Sequence, residues 1–510
     1  MAILGSILKK AIELRGKVPP SRKTVLKKQL TTLQQLMKKA EFTAFGEHYQ
    51  FSKKLKEKNF HNTFRNEIPA HDYNSMFKNW WYRCLNGEPF VCWPNHVKYF
   101  ALSSGTSESS SKHIPVTRDM IKAIRKVSVR QTLSLSQVDL PKEFFQKRVL
   151  MVGGSTHLNF NGTYYEGDLS GITTGNIPFW FQFFYKPGPV ISRHKDWNSK
   201  LNDIVANASK WDIGVVCGVP AWIQIIFEKI VEHYKVKTIH DVWPNLRIYV
   251  SGGVSYAPYL KSYEKLTKFP LIILDTYLAS EGFIAFQTGS NTNGSMKLVL
   301  DNGIFFEFIP FNSDNFDADG NLKSDPKTLL INEVENNIEY AILISTCSGA
   351  WRYLIGDTIK FTNADECEII ITGRTKHFLS MCGEHLSVDN MNKALVLAAK
   401  DLNIEVGEYT VCGVPYEGLF AHHWYIASDD KVDNQIFKSK IDEHLKVLND
   451  DYRVERGHAL KDIFVDVYSH DFFMEFMKQK GKLGSQHKFP RVLKGKMLED
   501  WQEYLKKHKH

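Results

Sequence analysis

The sequence predicts an α/β fold with two parts: a large domain of mixed and parallel sheets with helices over residues 1–375, and a small α+β domain over residues 376–510. Three observations carry this prediction. From about residue 145 onward, short apolar strand-like runs alternate with helical stretches, the pattern of parallel strands joined by crossover helices. Gly373-Arg374-Thr375-Lys376 interrupts that pattern. Beyond it, roughly 130 residues carry strands and helices of their own, enough for an independent domain.

In chain order, Lys23 to Ala40 has Val25, Leu26, Leu30, Leu33 and Leu36 at mostly helical spacing with lysines between them. This predicts a helix that buries one face and leaves its lysines in water. Strands are expected at Arg148–Val152, Ile213–Cys217, Arg247–Val250 and Leu271–Leu274, with helices at Ala221 to about Tyr234 and Pro258 to Lys268 between them. Further strand-like runs follow at Ile304–Phe308, Glu339–Ile344 and Glu368–Ile371. The small domain is expected to hold helices near Ser387–Lys400 and Asn434–Leu448, and strands near Tyr409–Val414 and Trp424–Ala427.

Composition narrows the function. The 510 residues are 43% hydrophobic, which is ample for a buried core. The net charge of +9 is a small excess of 65 Lys and Arg over 56 Asp and Glu. Its lysines are spread over the N-terminal helices and the extreme C-terminus, where nucleic-acid binding would need a basic stripe with interleaved aromatics. The seven cysteines are odd in number, widely spaced and free of any C-x-x-C pair, which points to a reducing compartment without zinc knuckles. No apolar run reaches the length of a membrane helix, and the N-terminal stretch lacks the core and cleavage site of a signal peptide. A cytoplasmic location is therefore expected. A serine hydrolase is excluded by the absence of G-x-S-x-G. H-E-x-x-H is likewise absent, and His422-His423 are expected on opposite faces of a strand.

Three segments carry chemistry. In Phe100 to Thr117, an apolar strand end runs into Ser103, Ser104, Gly105, Thr106 and Ser107, then Lys112, with a helix expected from Arg118. A glycine lets consecutive N–H groups converge on an anion, hydroxyls add donors and a lysine adds charge, so this is a phosphate cradle without Walker spacing. Taken alone it reads equally as a serine-rich linker. The second segment follows the apolar run Leu271–Leu274 with Thr276, Tyr277, Ser280 and Glu281. Strand ends of open α/β sheets bind ligands; Tyr277 suits base stacking, and the Glu281 carboxylate suits Mg2+ bridging a phosphate. The alternative is a surface loop with a helix cap at Ser280. Just upstream, Gly252 and Gly253 form a strand-to-glycine turn that permits close approach to a flat ligand. The third segment, Trp351-Arg352-Tyr353 to Gly356-Asp357, presents a carboxylate at a strand entry, where it could accept both hydroxyls of a ribose. Its alternative is an ordinary Gly-Asp hairpin turn.

In this order and at these separations, the three segments resemble the adenylate-forming superfamily of acyl-CoA synthetases and peptide-synthetase adenylation domains. They look most like its Gretchen Hagen 3 family of acyl-acid amido synthetases. That family's motifs S-S-G-T-S…K-x-I-P, Y-x-x-S-E-G and Y-R-Y-x-x-G-D are matched by Ser103–Pro115, Tyr277–Gly282 and Trp351–Asp357, with Trp for the leading Tyr of the third. Ser109 and Ser110 stand where many relatives carry a second glycine. Phe42–Tyr49 and Ile68–Tyr73 also look like the family's N-terminal segments, so the resemblance covers essentially the whole chain.

The resemblance implies a two-step ligase. A carboxylic acid attacks the α-phosphorus of MgATP and releases pyrophosphate, and the amine of an amino acid then takes the acyl group. It implies ATP contacts at Ser103 to Ser107, Lys112, Gly252, Gly253, Thr276, Tyr277, Ser280, Glu281, Asp357 and Arg374, with Mg2+ on Glu281. The catalytic lysine is expected at Lys488, within a Q-x-K-x-P-R-like stretch; Lys496 is the alternative from the broader superfamily, and Lys376 adjoins the expected hinge at 373–376. The acyl pocket is expected near Trp180 and Phe181 of an aromatic stretch and near Val219 and Trp222, suited to an aromatic or medium-chain acid. A plain-core reading of that stretch stays open. So do a thioester-forming CoA ligase and a nucleotide-binding homologue that has lost turnover.

Overall fold

The computed structural model describes residues 22–508 apart from 104–111, 136–137, 139, 178–180, 254–255, 257–258, 289–293, 318–319, 376–377, 380, 382–383, 385, 418, 458–459 and 482–488. Its centre is an 11-stranded mixed sheet. From one edge the strands run Ile304–Pro310, Glu339–Thr346, Tyr353–Asn363, Glu368–Arg374, Met296–Leu298, Gly282–Phe286, Ile272–Ala279, Ile248–Gly252, Ile213–Gly218, Arg148–Met151 and Tyr185–Lys186. The last five are mutually parallel. The others pair antiparallel.

The change of direction is local. Strand Ile272–Ala279 returns at once as Gly282–Phe286 through the two residues Ser280 and Glu281. A two-residue hairpin leaves no length for a crossover helix, so parallel pairing stops there. The alternation rule therefore describes only the half of the sheet before residue 279. In that half the helices Trp197–Asn207 and Pro220–Tyr234 bury Trp197, Ile204, Ile223, Ile226, Phe227 and Ile230 around Trp243 and Tyr249.

In the antiparallel half, nearly every side chain of Glu339–Thr346 is buried, as expected of a strand covered on both faces. The helix Arg22–Ala40 turns Val25, Leu33, Leu36 and Met37 inward. It also closes the sheet edge. Gln29 donates its amide to the carbonyls of Leu300 and Ile304, at 2.7 and 3.0 Å, and accepts from the Phe306 N–H at 2.7 Å. The Ile304 and Phe306 groups are ones that an edge strand leaves unpaired, and Leu300 lies in the turn before that strand.

At the C-terminal end a three-stranded sheet, Tyr409–Tyr416, Leu419–Ala427 and Leu460–Tyr468, has helices on both faces. Val388–Leu402 and Asn434–Leu448 cover Val411, Trp424 and Ile426. His470–Gln479 and Gly495–His508 cover Cys412, Tyr425 and Ala427. Successive residues of one strand thus serve opposite layers. His422 is fully buried and His423 part-exposed, as strand alternation requires. The expected helices and strands here agree with those observed to within a few residues, apart from Trp424–Ala427, whose strand starts five residues earlier.

A polar seam links this sheet to the rest. Tyr259, just before the helix Leu260–Leu266, donates to Glu408 at 2.5 Å; Lys261 reaches the Ile404 carbonyl at 3.1 Å and Lys265 pairs with Glu405 at 2.5 Å.

Candidate functional site

Because the central strands are parallel, their C-terminal ends lie along one rim. Gly252 stands beside Thr276 in register, and a β-carbon on Gly252 would lie 3.3 Å from the Thr276 carbonyl oxygen. Gly253 follows with φ +86°, a turn that a β-carbon would strain. The Thr276 hydroxyl is fixed from the other side by Gln131 of the helix Arg118–Ser134, at 2.6 Å.

Tyr277 is not a loop residue after the strand but part of Ile272–Ala279, with only Ser280 and Glu281 left in the turn. No helix follows Ser280; the chain continues as a strand. The buried Tyr277 phenol donates to one Asp357 oxygen at 2.5 Å. Arg374, the cross-strand partner of Asp357, holds the other oxygen at 2.8 Å. The Asp357 charge holds the Arg374 guanidinium above its ordinary range. Asp357 lies within the strand Tyr353–Asn363 and not at its entry, so a hairpin-turn reading fails as well. It follows Gly356, whose φ of +87° kinks the strand beside Arg374 and Thr375.

Glu281 is 7% exposed. Burial first, and the Asp357 charge second, push its carboxyl up to about 7. The Arg374 and Lys112 charges oppose that rise without cancelling it. Among the described residues no cation comes within ion-pair distance of Glu281. Tyr353 completes this corner: its phenol is fully buried and driven upward by burial and then by the Glu281 charge.

Ser103 ends the strand Tyr99–Ser103 and pairs with Lys112, which opens the strand Lys112–Val116. The lysine is therefore on a hairpin arm, and the helix from Arg118 begins only after it. Thr117 caps that helix, accepting from Met120 N at 3.1 Å and donating to the Cys347 carbonyl at 2.6 Å. The Lys112 ammonium lies 5.3 Å from the centre of the Tyr73 ring, while the Tyr73 hydroxyl accepts from His113 N at 3.0 Å.

Trp351 and Arg352 build the support. Trp351 is fully buried among Phe45, Phe51 and Phe64 and donates to the Cys92 carbonyl at 3.1 Å. Arg352 makes a two-pronged contact to the buried Glu307 at 3.0 and 2.9 Å and also donates to the carbonyls of Arg65 and Ile68. His71 donates its N–H to the Arg352 carbonyl and accepts from Leu354 N, both at 2.7 Å. The segments Ile68–Tyr73 and Trp351–Asp357 thus meet as one unit.

The remaining expected positions divide. Ser104, Gly105, Thr106, Ser107, Lys376, Lys488 and Trp180 lie outside the described residues. Lys496 is exposed in the first turn of Gly495–His508. Beside Lys488, Phe489 is buried, the Pro490 carbonyl accepts from Thr410 at 2.6 Å, and Val492 bridges to Val411. Phe181 is half-buried, Val219 precedes the helix Pro220–Tyr234, and Trp222 is a core residue whose ring stands edge-on to Trp197 at 4.4 Å. Sequence reasoning assigned no role to Tyr73, Gln131 or Tyr353. Tyr73 and Tyr353 fall inside segments that carried the family resemblance; Gln131 gave no signal, since only packing brings it to Thr276.

Three models of one family match the chain: the GH3 family N-terminal domain over residues 20–155, its central domain over 297–369 and its C-terminal domain over 389–496. Among curated proteins, the chain is 26% identical over 285 residues to the indole-3-acetic acid-amido synthetase GH3.4 of Arabidopsis thaliana, covering 50% of this chain and 45% of that protein. It is 31% identical over 187 residues to the jasmonoyl–L-amino acid synthetase JAR4 of Nicotiana attenuata, covering 34% and 30%. These alignments thus span less than half the length of the curated relatives. Among solved structures, the GH3.15 acyl acid amido synthetase superposes with a TM-score of 0.77 at 15% identity, covering 98% of this chain and 95% of that one. A 2-hydroxyisobutyryl-CoA ligase in its postadenylation state superposes with a TM-score of 0.57 at 12% identity, covering 95% and 92%. The fold is that of adenylate-forming enzymes, and the chain belongs to the GH3 family.

Proposed function

We propose that the protein is an ATP-dependent acyl-acid amido synthetase: it adenylates a carboxylic acid with release of pyrophosphate, then transfers the acyl group to the amine of an amino acid. The observation that carries this reading is the Asp357 carboxylate, fixed between Tyr277 and Arg374 beside the buried Glu281 at the rim of the parallel strands. A carboxylate held in place on two sides has lone pairs left for two ribose hydroxyls. Gly252 and Gly253 give the adenine a flat approach, and Ser103 to Ser107 with Lys112 grip the phosphates.

Glu281 fits Mg2+. No cation among the described residues reaches ion-pair distance of its carboxylate, Arg374 and Lys112 acting only from further off, and a hard carboxylate oxygen is the donor that this ion prefers. When bound, Mg2+ supplies counter-charge to phosphate oxygens. A lysine supplies the rest as charge builds up on oxygens in flight. Lys488 takes that role in preference to Lys496, because its neighbours Phe489 to Val492 are anchored against Thr410 and Val411.

The division at 375/376 completes the scheme. The small domain turns about residues 373–376 between half-reactions, with Lys376 in the hinge, and carries Lys488 towards the phosphate and then away to admit the amine. The acid is aromatic or medium-chain, and its pocket opens from the strand rim near Trp180, Phe181, Val219 and Trp222. The protein works in the cytoplasm, a reading supported by six described cysteines that form no disulfide and by the absence, among the described residues, of a helix able to cross a membrane.

The shared fold of a CoA ligase leaves a thioester acceptor as the second reading; the family match and the named activities of the curated relatives favour the amide. Pyrophosphate release is to be measured over aromatic, indolic and aliphatic acids, each with the twenty amino acids and with CoA. Amino-acid-dependent release of AMP is expected. Release that responds to CoA and to no amino acid would overturn the amide reading.

A further inference from the structure

A second charged pair lies on the same rim, two strands away. The cavity at the end of Arg148–Met151 is lined by Gly153, Gly154, Thr174, Tyr185, Ser192 and Lys200 among others. Lys200 is 5% exposed and spends one donor on the Gly153 carbonyl at 3.0 Å. An ammonium has three donors.

Near it stands Asp168, the residue before the helix Leu169–Gly175, whose side chain makes no capping hydrogen bond to that helix. It leans instead on Gly154: a β-carbon added there would lie 2.0 Å from the Asp168 oxygen. The two charges sense one another, since Asp168 raises the Lys200 ammonium against the larger lowering by burial. They form no ion pair within 4 Å among the described residues. Burial pushes the Asp168 carboxyl up to about 6, with Lys200 opposing. A buried donor thus lines the cavity, and a half-buried acceptor stands against Gly154 of the same lining, without the two closing on each other. Leaving both under-used costs free energy unless something polar sits between them.

Position says what that is. Strand Arg148–Met151 is two places from Ile248–Gly252 in the sheet, roughly 10 Å at the usual strand spacing. That is the reach of an aromatic or medium-chain acid whose carboxyl group lies at the Gly252 end. Resting on the amido-synthetase reading above, we propose that Lys200 and Asp168 recognise a hydroxyl at the far end of the acid substrate, which accepts from the Lys200 ammonium and donates to the Asp168 carboxylate. A site built around such a group rejects the analogue lacking it, because its own polar groups are then left unpaired.

The test compares acids of equal length and shape with and without a terminal hydroxyl, reading kcat/KM for pyrophosphate release by the full chain. The hydroxylated acid should be preferred by at least about tenfold. Lys200→Met and Asp168→Asn should each bring that ratio towards one. A wild-type ratio near one overturns the proposal, as does a preference that survives Lys200→Met. The wild-type ratio needs no variant to fold. Failure to release pyrophosphate with any acid would instead sink the amido-synthetase reading itself.

Discussion

Tyr277 and Arg374 hold opposite oxygens of Asp357, at 2.5 and 2.8 Å, so this carboxylate is locked in place by its cross-strand partner and by a residue of a strand four places away in the sheet. A group fixed in advance loses little freedom when it binds a ligand. Asp357→Ala removes a charge-assisted contact and should weaken ATP binding by about 1.5–3 kcal/mol. Tyr277→Phe keeps the carboxylate and loosens only its orientation, so the loss should be smaller, about 0.5–1.5 kcal/mol. Titration calorimetry with ATP on both variants checks the order.

Glu281 gives the pH dependence a sign. Its carboxyl is raised from the ordinary value of 4.5 to about 7 on folding. The folded state therefore binds the proton more tightly, and the stability linked to it is fully present below about pH 4.5 and lost as pH rises through about 7. At 1.36 kcal/mol per unit the loss is about 3 kcal/mol. Denaturant unfolding between pH 5 and 8 should show this decline in the wild type and not in Glu281→Gln. Mg2+ needs the deprotonated form, so its affinity should climb over the same range, and the glutamine variant should demand more Mg2+.

Most of the fold was legible because apolar periodicity is local. The helix Arg22–Ala40 and the strands Ile213–Gly218 and Tyr409–Tyr416 announce themselves within their own windows. Sheet direction after Ala279 was not legible, because it turns on a two-residue hairpin whose Ser-Glu pair lacks the usual turn residues. In the candidate site, Asp357, Glu281 and Arg374 were found from motifs, since each sits in a short distinctive string. Gln131 was not, for its partner Thr276 is 145 residues away. Arg352 sits in the same string as Asp357, yet its side chain turns inward to Glu307 and serves the core. Residues sharing a motif need not share a role.

That inward pair is the next prediction. Arg352 and Glu307 are each about 5% exposed or less; removing Glu307 leaves the Arg352 charge buried alone, and removing Arg352 leaves Glu307 only the longer pair with Arg65 at 3.5 Å. Glu307→Ala should cost about 3–5 kcal/mol in denaturant unfolding. The double change Glu307→Leu with Arg352→Met should cost less than either single change, since no deeply buried charge remains and only the more exposed Arg65 loses its 3.5 Å partner. The Arg65 and Ile68 carbonyls would still lose their donor, so the double variant should not reach wild-type stability.

Glu408 separates docking from stability. One of its oxygens accepts from Tyr259 at 2.5 Å across the seam, and the other pairs with Arg491 at 2.7 Å within the C-terminal part of the chain. Tyr259→Phe breaks only the bond across the seam. Glu408→Ala also leaves the Arg491 guanidinium, which lies 4.5 Å from the Tyr409 ring, without its counter-charge. If the small domain turns about residues 373–376, Tyr259→Phe should favour its departure and speed proteolysis in that segment, while the thermal unfolding of the C-terminal sheet stays unchanged. Glu408→Ala should speed proteolysis as well and also lower that unfolding transition, by about 2–5 kcal/mol. Timed digestion and calorimetry on the two variants distinguish the outcomes. Equal effects on both readouts would mean that the seam and the sheet unfold as one unit, and that no independent turning of the small domain takes place.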